Sequence, residues 1–163
     1  MDPMMKIVEY NGEEEILLEQ MIALQDYLVQ IDPMKQLIRT PDYGPHYVNF
    51  TLQRVAENNG KIYFAKYGDN YIGCIAGIIL QQSPHDLREN IVKKEGRVIE
   101  IFVVSNFRGH EIGTRLMHTM EKYFKNKGCE YMRVEVLADN ELAQRLYRSN
   151  GFQNRMIDMM KEI

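Results

Sequence analysis

Residues 98–117 read Val-Ile-Glu-Ile-Phe-Val-Val-Ser-Asn-Phe-Arg-Gly-His-Glu-Ile-Gly-Thr-Arg-Leu-Met. The first seven are apolar and mostly β-branched apart from Glu100, the composition of a central strand covered on both faces. A short loop with Gly109 and Gly113 follows. Ile112, Leu116, Met120, Tyr123 and Phe124 then recur at helical spacing, which predicts a helix over about Glu111 to Asn126 with Gly128 as its cap. The first turn of such a helix has backbone N–H groups without internal partners, and the helix dipole adds positive potential there. Glycines let a ligand approach that backbone, so the construction suits a phosphate or pyrophosphate. A strand-to-helix turn with glycines used only for packing has the same sequence.

Working outward, Met4 to Tyr10 alternates as a short strand. Ile16, Leu17, Met21, Leu24, Leu28 and Ile31 mark a long amphipathic helix ending near Asp32-Pro33. Residues 32–46 read as a loop, and His46 to Glu57 as a second helix stopped by Asn58-Asn59-Gly60. Lys61 to Tyr67 and Tyr71 to Gln81 form a hairpin about Gly68-Asp69-Asn70. Residues 82–96 are polar, a loop or a frayed helix. After the decisive stretch come a strand over Tyr131 to Val136, a helix over Asn140 to Arg148 and a last strand over Phe152 to Ile163. The order β-α-α-β-β-β-α-β-α-β mixes hairpins with one strand–helix–strand crossover. It predicts an α/β (α+β) fold with a mixed central sheet and helices on both faces.

The chain has 163 residues, the length of one domain spanning 1–163. Its 45% hydrophobic content can bury a core without a metal or disulfide staple. Twenty Lys and Arg face 23 Asp and Glu, so the basic excess of a nucleic-acid binder is missing. Residues 1–81 hold 6 basic and 11 acidic side chains and residues 82–163 hold 14 and 12, a mildly basic half that could favour a phosphorylated ligand. Cys74 and Cys129 have no CxxC partner and read as small apolar residues in a reducing compartment. The start of the sequence lacks a long apolar run, and Tyr71 to Leu80 is too short to span a bilayer, so a cytoplasmic location without membrane contact is expected. No GxGxxG or GK[ST] is present, and the position of a second histidine after His110-Glu111 is Thr114, which excludes a zinc-protease helix.

The strand followed by Phe107-Arg108-Gly109-His110-Glu111-Ile112-Gly113-Thr114 resembles the acetyl-coenzyme A motif of the GNAT superfamily of N-acetyltransferases, Gln/Arg-x-x-Gly-x-Gly/Ala at a helix start. Asn140-Glu-Leu-Ala143-Gln-Arg-Leu-Tyr147-Arg-Ser-Asn-Gly151-Phe152 is similar to the family's N-x-x-A-x-x-x-Y-x-x-x-G-F. The specific match covers residues 97–152. The resemblance implies two central parallel strands that splay apart, with acetyl-coenzyme A as co-substrate, no metal and an amine as acceptor. Backbone groups of Ile101, Phe102 and Val103 would pair with the pantetheine arm as if it were another strand. Amides from Gly109 through His110, Glu111, Ile112, Gly113 and Thr114 would hold the pyrophosphate, with Arg108 beside it. Asn140 would hydrogen-bond the arm from the far side, with Ala143 lining it and Tyr147 near the thioester sulfur.

The same resemblance makes Tyr147 the candidate acid and Glu100 the candidate base. A phenol of pKa roughly 10 can protonate a departing thiolate of pKa roughly 8.5 only as that thiolate forms. Freeing an alkylamine of pKa roughly 10.4 at pH 7 costs roughly 4.6 kcal/mol, which is the work asked of a base. Strand alternation places Glu100 with Phe102 and opposite Ile99 and Ile101. A lone glutamate in an apolar strand is costly unless it faces a polar cleft, although a structural ion pair or a water chain as base fits the sequence too. Neither motif holds a cysteine, so direct transfer in a ternary complex is expected. The acceptor cleft is expected from about residues 26–47 and 82–96, where Asp26, Asp32, Asp42 and Asp86 would suit a cationic polyamine, aminoglycoside or lysine. Glu111 stands where the motif has its first glycine. That departure is the one feature favouring the alternative of a non-catalytic acyl-coenzyme A sensor, and replacing it with glycine is expected to cost some helix stability. The sequence leaves a homodimer open.

Overall fold

Alternating strands and two layers of helices organise the chain in the computed structural model, which describes residues 4–163. The elements are β1 (Met5–Glu9), α1 (Glu14–Ile31), α2 (Tyr43–Glu57), β2 (Lys61–Tyr67), β3 (Asn70–Ile79), α3 (Asp86–Glu89), β4 (Glu95–Val103), α4 (Ile112–Asn126), β5 (Tyr131–Arg133) and α5 (Glu141–Ser149). The sheet runs β1-β2-β3-β4-β5, antiparallel except for the parallel pair β4 and β5. This is the mixed sheet expected of two hairpin connections and one helical crossover.

Two apolar layers form on opposite faces of the sheet. Leu17, Met21 and Val48 from α1 and α2 pack on Phe64, Cys74, Ala76 and Phe102. Leu116, Met117, Met120 and Phe124 from α4 pack on Ile75, Ile79 and Val98. The second layer is close enough to demand glycine. A Cβ on Gly96 would lie 2.4 Å from the Phe124 ring, and one on Gly77 would lie 2.6 Å from the Met120 sulfur. These two positions let α4 settle against the strands that carry the site.

Most boundaries follow the sequence. Helix α2 begins earlier than its periodicity suggests because Pro45 falls in the first turn, where its missing N–H costs nothing. Strand β5 is shorter than expected, ending at Arg133 rather than Val136. The last predicted strand is absent: residues 153–163 are exposed and form no ladder. A strand exists only through hydrogen bonds to a neighbour, and among the described residues the segment meets none.

Candidate active site

β4 and β5 pair over only three residues, Glu95 with Tyr131, Gly96 with Met132 and Arg97 with Arg133. Beyond that point β5 stops while β4 continues to Val103, so among the described residues one edge of Val98–Val103 has no strand beside it. The alternation along β4 shows which groups face the opening. The Val104 amide donates to the Ile72 carbonyl on β3 at 2.9 Å, so Val103 and Ile101 turn their backbone groups the other way. The Phe102 backbone belongs to the β3 side by the same parity, and Phe102 offers its ring instead. A groove of about 310 Å³ fills the gap, lined by Ile101, Phe102, Val103 and Arg108, by Gly109 and Glu111 to Thr114, and by Asn140, Ala143 and Leu146. His110 is exposed and outside that lining.

At one end of the groove stands the N-terminus of α4. Arg115 N–H donates to Glu111 O at 2.9 Å, the first rung of the helix, so the amides of Ile112, Gly113 and Thr114 have no acceptor in the ladder. Glu111 itself has φ 59°, the left-handed region. That angle explains on backbone grounds why the resembling motif carries glycine at this position. Gly113 lies close to α5: a Cβ there would come within 3.0 Å of Leu146. Arg108 Nε donates to the Val103 carbonyl at 2.9 Å, and its guanidinium sits 5.5 Å from the Tyr27 ring centre. Arg108 therefore caps one of the open backbone acceptors of β4.

Across the groove, the Asn140 side-chain oxygen accepts from the Ala143 amide at 3.1 Å, capping α5. Its Nδ2 group makes no hydrogen bond among the described residues, which leaves a donor for a ligand. Two helical turns on, Tyr147 is buried with its ring 5.7 Å from that of Phe152, and its hydroxyl has no partner among the described residues. Burial, with the Glu100 charge adding to it, pushes the Tyr147 phenol up to about 12.

Glu100 on β4 is outside the lining of this groove and turns toward the α1/α2 layer, where its carboxylate accepts a hydrogen bond from the Tyr47 hydroxyl. It keeps the Phe102 side that alternation gives it, and a bulge changes the side of its neighbour. Ala76 pairs with Glu100 but the next residue, Gly77, pairs with Val98, so Ile99 is the extra residue on β4. Ile99 and Glu100 therefore share a face, and only Ile101 lies opposite, which corrects the simple alternation expected for Ile99. Burial pushes the Glu100 carboxyl up to about 7, while the Tyr47 hydrogen bond and the Arg54 charge pull the other way. Tyr43 stacks on Tyr47 with ring centres 5.0 Å apart. Burial and the Glu100 charge raise both phenols above their ordinary range. Tyr43 and Tyr47 escaped the sequence reading because they sit in α2, outside both motifs; the Tyr-x-x-x-Tyr spacing on one helix face was the available signal.

The acids considered for a cationic acceptor are occupied locally. Asp32 accepts from the amides of Met34, Gln36 and Leu37, Asp26 pairs with Arg39, and Asp86 bonds Ser83. Among the described residues no cluster of His, Cys, Asp or Glu could hold a metal ion, and no helix is long and apolar enough to cross a membrane.

An open edge on a central strand, running into the amide end of a helix and faced by the asparagine that caps the next helix, is the arrangement implied for an acetyl-coenzyme A-dependent transferase. Residues 24–152 match the Acetyltransferase (GNAT) family, and the chain belongs to it. An uncharacterized N-acetyltransferase of Methanocaldococcus jannaschii is 38% identical over 63 residues, 38% of this chain and 40% of that relative, so the shared stretch spans about two fifths of its length. In three dimensions a putative acetyl transferase from Pyrococcus furiosus aligns with a TM-score of 0.74 at 19% identity, over 98% of this chain and 99% of that one. AAC(6')-Iy, in complex with the bisubstrate analog CoA-S-monomethyl-acetylneamine, aligns with a TM-score of 0.66 at 20% identity over 98% and 99%. At these identities the two structures show the fold.

Proposed function

We propose that the chain, as a single domain, is an N-acetyltransferase that moves an acetyl group from acetyl-coenzyme A directly to a primary amine. The observation that carries this reading is the Glu100 carboxyl. It is half-buried in an apolar strand, held by Tyr47, and desolvation pushes it up to about 7, where a general base is most effective. An acyl-coenzyme A sensor has no use for such a group, whose burial costs stability.

The binding half of the reading rests on the groove. The pantetheine arm satisfies the open backbone groups of Ile101 and the Val103 carbonyl, displacing the Arg108 guanidinium from that carbonyl. Arg108 then has its charge free for the pyrophosphate, which the first-turn amides of α4 receive. Asn140 Nδ2 donates to the arm from α5. The Val103 amide, on the open edge, is placed to donate to the carbonyl oxygen as it gains charge during attack.

Proton handling falls to three side chains. Glu100 removes the proton that the acceptor ammonium must lose, with the Tyr47 hydroxyl holding the carboxylate in place. Tyr147, its hydroxyl unpartnered and its pKa high, stays protonated at neutral pH and gives its proton to the departing thiolate. The acceptor is a small amine, a polyamine, an aminoglycoside or a protein amine. Release of free thiol from acetyl-coenzyme A in the presence of a panel of such amines tests the reading. Turnover with one class and its loss in Glu100→Gln is the expected result, and binding of coenzyme A with no transfer to any amine would leave the sensor as the answer.

A further inference from the structure

Arg108 and Phe102 line two clefts, the groove already described and a second, larger one of about 610 Å³. Three parts of the chain supply the other polar groups of the second cleft. α1 presents Glu19 and Gln20, the connection from β2 into β3 presents Asp69 and Asn70, and the loop after β4 presents Ser105. Acetyl transfer as derived above uses none of these side chains.

The lining asks for hydrogen-bond donors. Glu19 and Asp69 are exposed, and neither carboxylate has an ion-pair or hydrogen-bond partner among the described residues. Gln20 is the informative group. It is 5% exposed, its Nε2 donates to the Tyr71 carbonyl at a long 3.4 Å, and its Oε1 has no donor. Turning the amide over would set an oxygen against that carbonyl, so the Tyr71 contact fixes Oε1 as the orphan. An unsatisfied buried amide oxygen destabilises the fold, and a methionine of similar length would avoid it. The oxygen is covered by its surroundings, so a donor in the cleft meets it after a turn of the soft terminal torsion, which so long a hydrogen bond resists little.

Arg108 shows which cation the aromatic wall accepts. Its guanidinium lies 6.0 Å from the Phe102 ring centre and 5.5 Å from that of Tyr27. When coenzyme A draws Arg108 to the pyrophosphate, the cleft keeps two carboxylates, an orphan amide oxygen and the Phe102 ring, and loses the one cation of its lining. A guanidinium or amidinium group matches what remains. It is planar, carries several N–H donors, pairs with carboxylates in a fork and is weakly hydrated enough to lie on a ring.

We propose that this cleft is a second ligand site, selective for a small guanidinium-type cation, and that its occupant and coenzyme A strengthen each other's binding through Arg108. The site stands on the cleft itself, whereas the coupling rests on the transferase reading. Moving the Arg108 charge out of the cleft favours an incoming cation, and linkage makes the effect reciprocal.

Methylguanidinium chloride titrated into the full chain and followed by heteronuclear NMR tests both parts. Tetramethylammonium chloride at equal ionic strength serves as a cation without N–H donors. The expected result is saturable methylguanidinium binding at about 1 mM, shifting the Gln20 side-chain amide and the backbone amides of Asp69, Asn70 and Ser105, with no response to tetramethylammonium. The double substitution Glu19→Gln with Asp69→Asn, and separately Gln20→Met, should each weaken binding at least about tenfold with an unchanged far-ultraviolet spectrum. Saturating coenzyme A should tighten it about tenfold. The site is overturned by the lack of a saturable shift up to about 20 mM, by equal shifts from tetramethylammonium, or by a response confined to Tyr47 and Glu100. Binding that survives both sets of substitutions overturns it as well. Cation binding that coenzyme A, itself bound, leaves unchanged overturns the coupling alone. Failure of coenzyme A to bind overturns the transferase reading and the coupling with it, while a saturable titration still supports the site.

Discussion

The Tyr47 hydroxyl donates its hydrogen to the Glu100 carboxylate, joining the second helix to the central strand at the one charged residue of 98–104. A hydrogen bond to the ionised form favours that form, so Tyr47 holds Glu100 at about 7 against a burial penalty that alone would push it higher. Removing the hydroxyl in Tyr47→Phe should raise the Glu100 pKa by about one unit, since bonds to charged groups contribute roughly 1.5–3 kcal/mol. At pH 7 the ionised fraction then falls from about a half to about a tenth, and the rate falls with it. Near pH 9 the rate should recover. A loss equal at all pH values in the kcat/KM profile would mean that Tyr47 only supports the packing of α2.

Glu100 should also leave a mark on stability. Its folded pKa of about 7 lies above the ordinary 4.5, so the native state binds more protons than the unfolded one between those values. Its contribution is therefore fully present below about pH 4.5 and is lost as pH rises through 7. A shift of that size corresponds to about 3 kcal/mol at most, and residual solvent access reduces it. Glu100→Gln should flatten this part of the stability profile, leaving the variant more stable than the wild type at pH 8 in urea denaturation. The same variant should lose roughly 10²–10⁴ in turnover and the acid limb of its rate profile.

Tyr147→Phe separates acid from core residue. The ring packs against Phe152 and the α4 layer, and the change leaves those contacts intact while deleting a hydroxyl that bonds nothing within the described chain. The melting temperature and coenzyme A affinity should stay near wild type while kcat falls by roughly 10² or more. Wild-type turnover would make Tyr147 a packing residue.

The parts of this molecule legible in sequence are those governed by local pattern. The apolar run of 98–104, the glycines after it and the α4 periodicity specify strand, loop and helix, and that sequence of elements creates the amide-lined end of the groove. Asn140 as a helix cap follows from its residue type and place. What could not be read depends on register or on partners distant in sequence. The bulge at Ile99 is invisible because it arises from a pairing with β3, and it brings Ile99 onto the face that Glu100 already occupies. Tyr47 lies 53 residues from the carboxylate it holds. Asp26, Asp32 and Asp86 look available in sequence because their partners, a nearby arginine and local turn amides, become apparent only once the loops close. Residues 153–163 carry a strand pattern without the neighbour that would make them one.

Glu111 offers a test in which charge and backbone can be pulled apart. Its side chain is exposed and lines the groove, and its φ of 59° places a Cβ where glycine is at ease. A carboxylate about 6 Å from a bound pyrophosphate would be repelled by roughly 1–3 kcal/mol per phosphate charge at an effective dielectric of about 20–50. Glu111→Gln and Glu111→Gly should therefore both bind coenzyme A about tenfold more tightly at low salt, and the gain should shrink at 1 M salt, where the Debye length is about 3 Å. Stability should divide the pair differently. Glutamine keeps the left-handed strain of about 1–2 kcal/mol and loses the 0.3–1 kcal/mol by which the helix dipole favours a carboxylate, so it should be the less stable. Glycine loses the same dipole contribution and gains unfolded-state entropy, but relieves the strain, so its stability should stay within about 1 kcal/mol of wild type. The positive φ thus cancels the loss that helix propensity alone predicts. Equal coenzyme A affinities for all three proteins in low-salt calorimetry would show the carboxylate pointing away from the bound phosphates, and a glycine variant less stable than the glutamine one would show that Glu111 carries no strain.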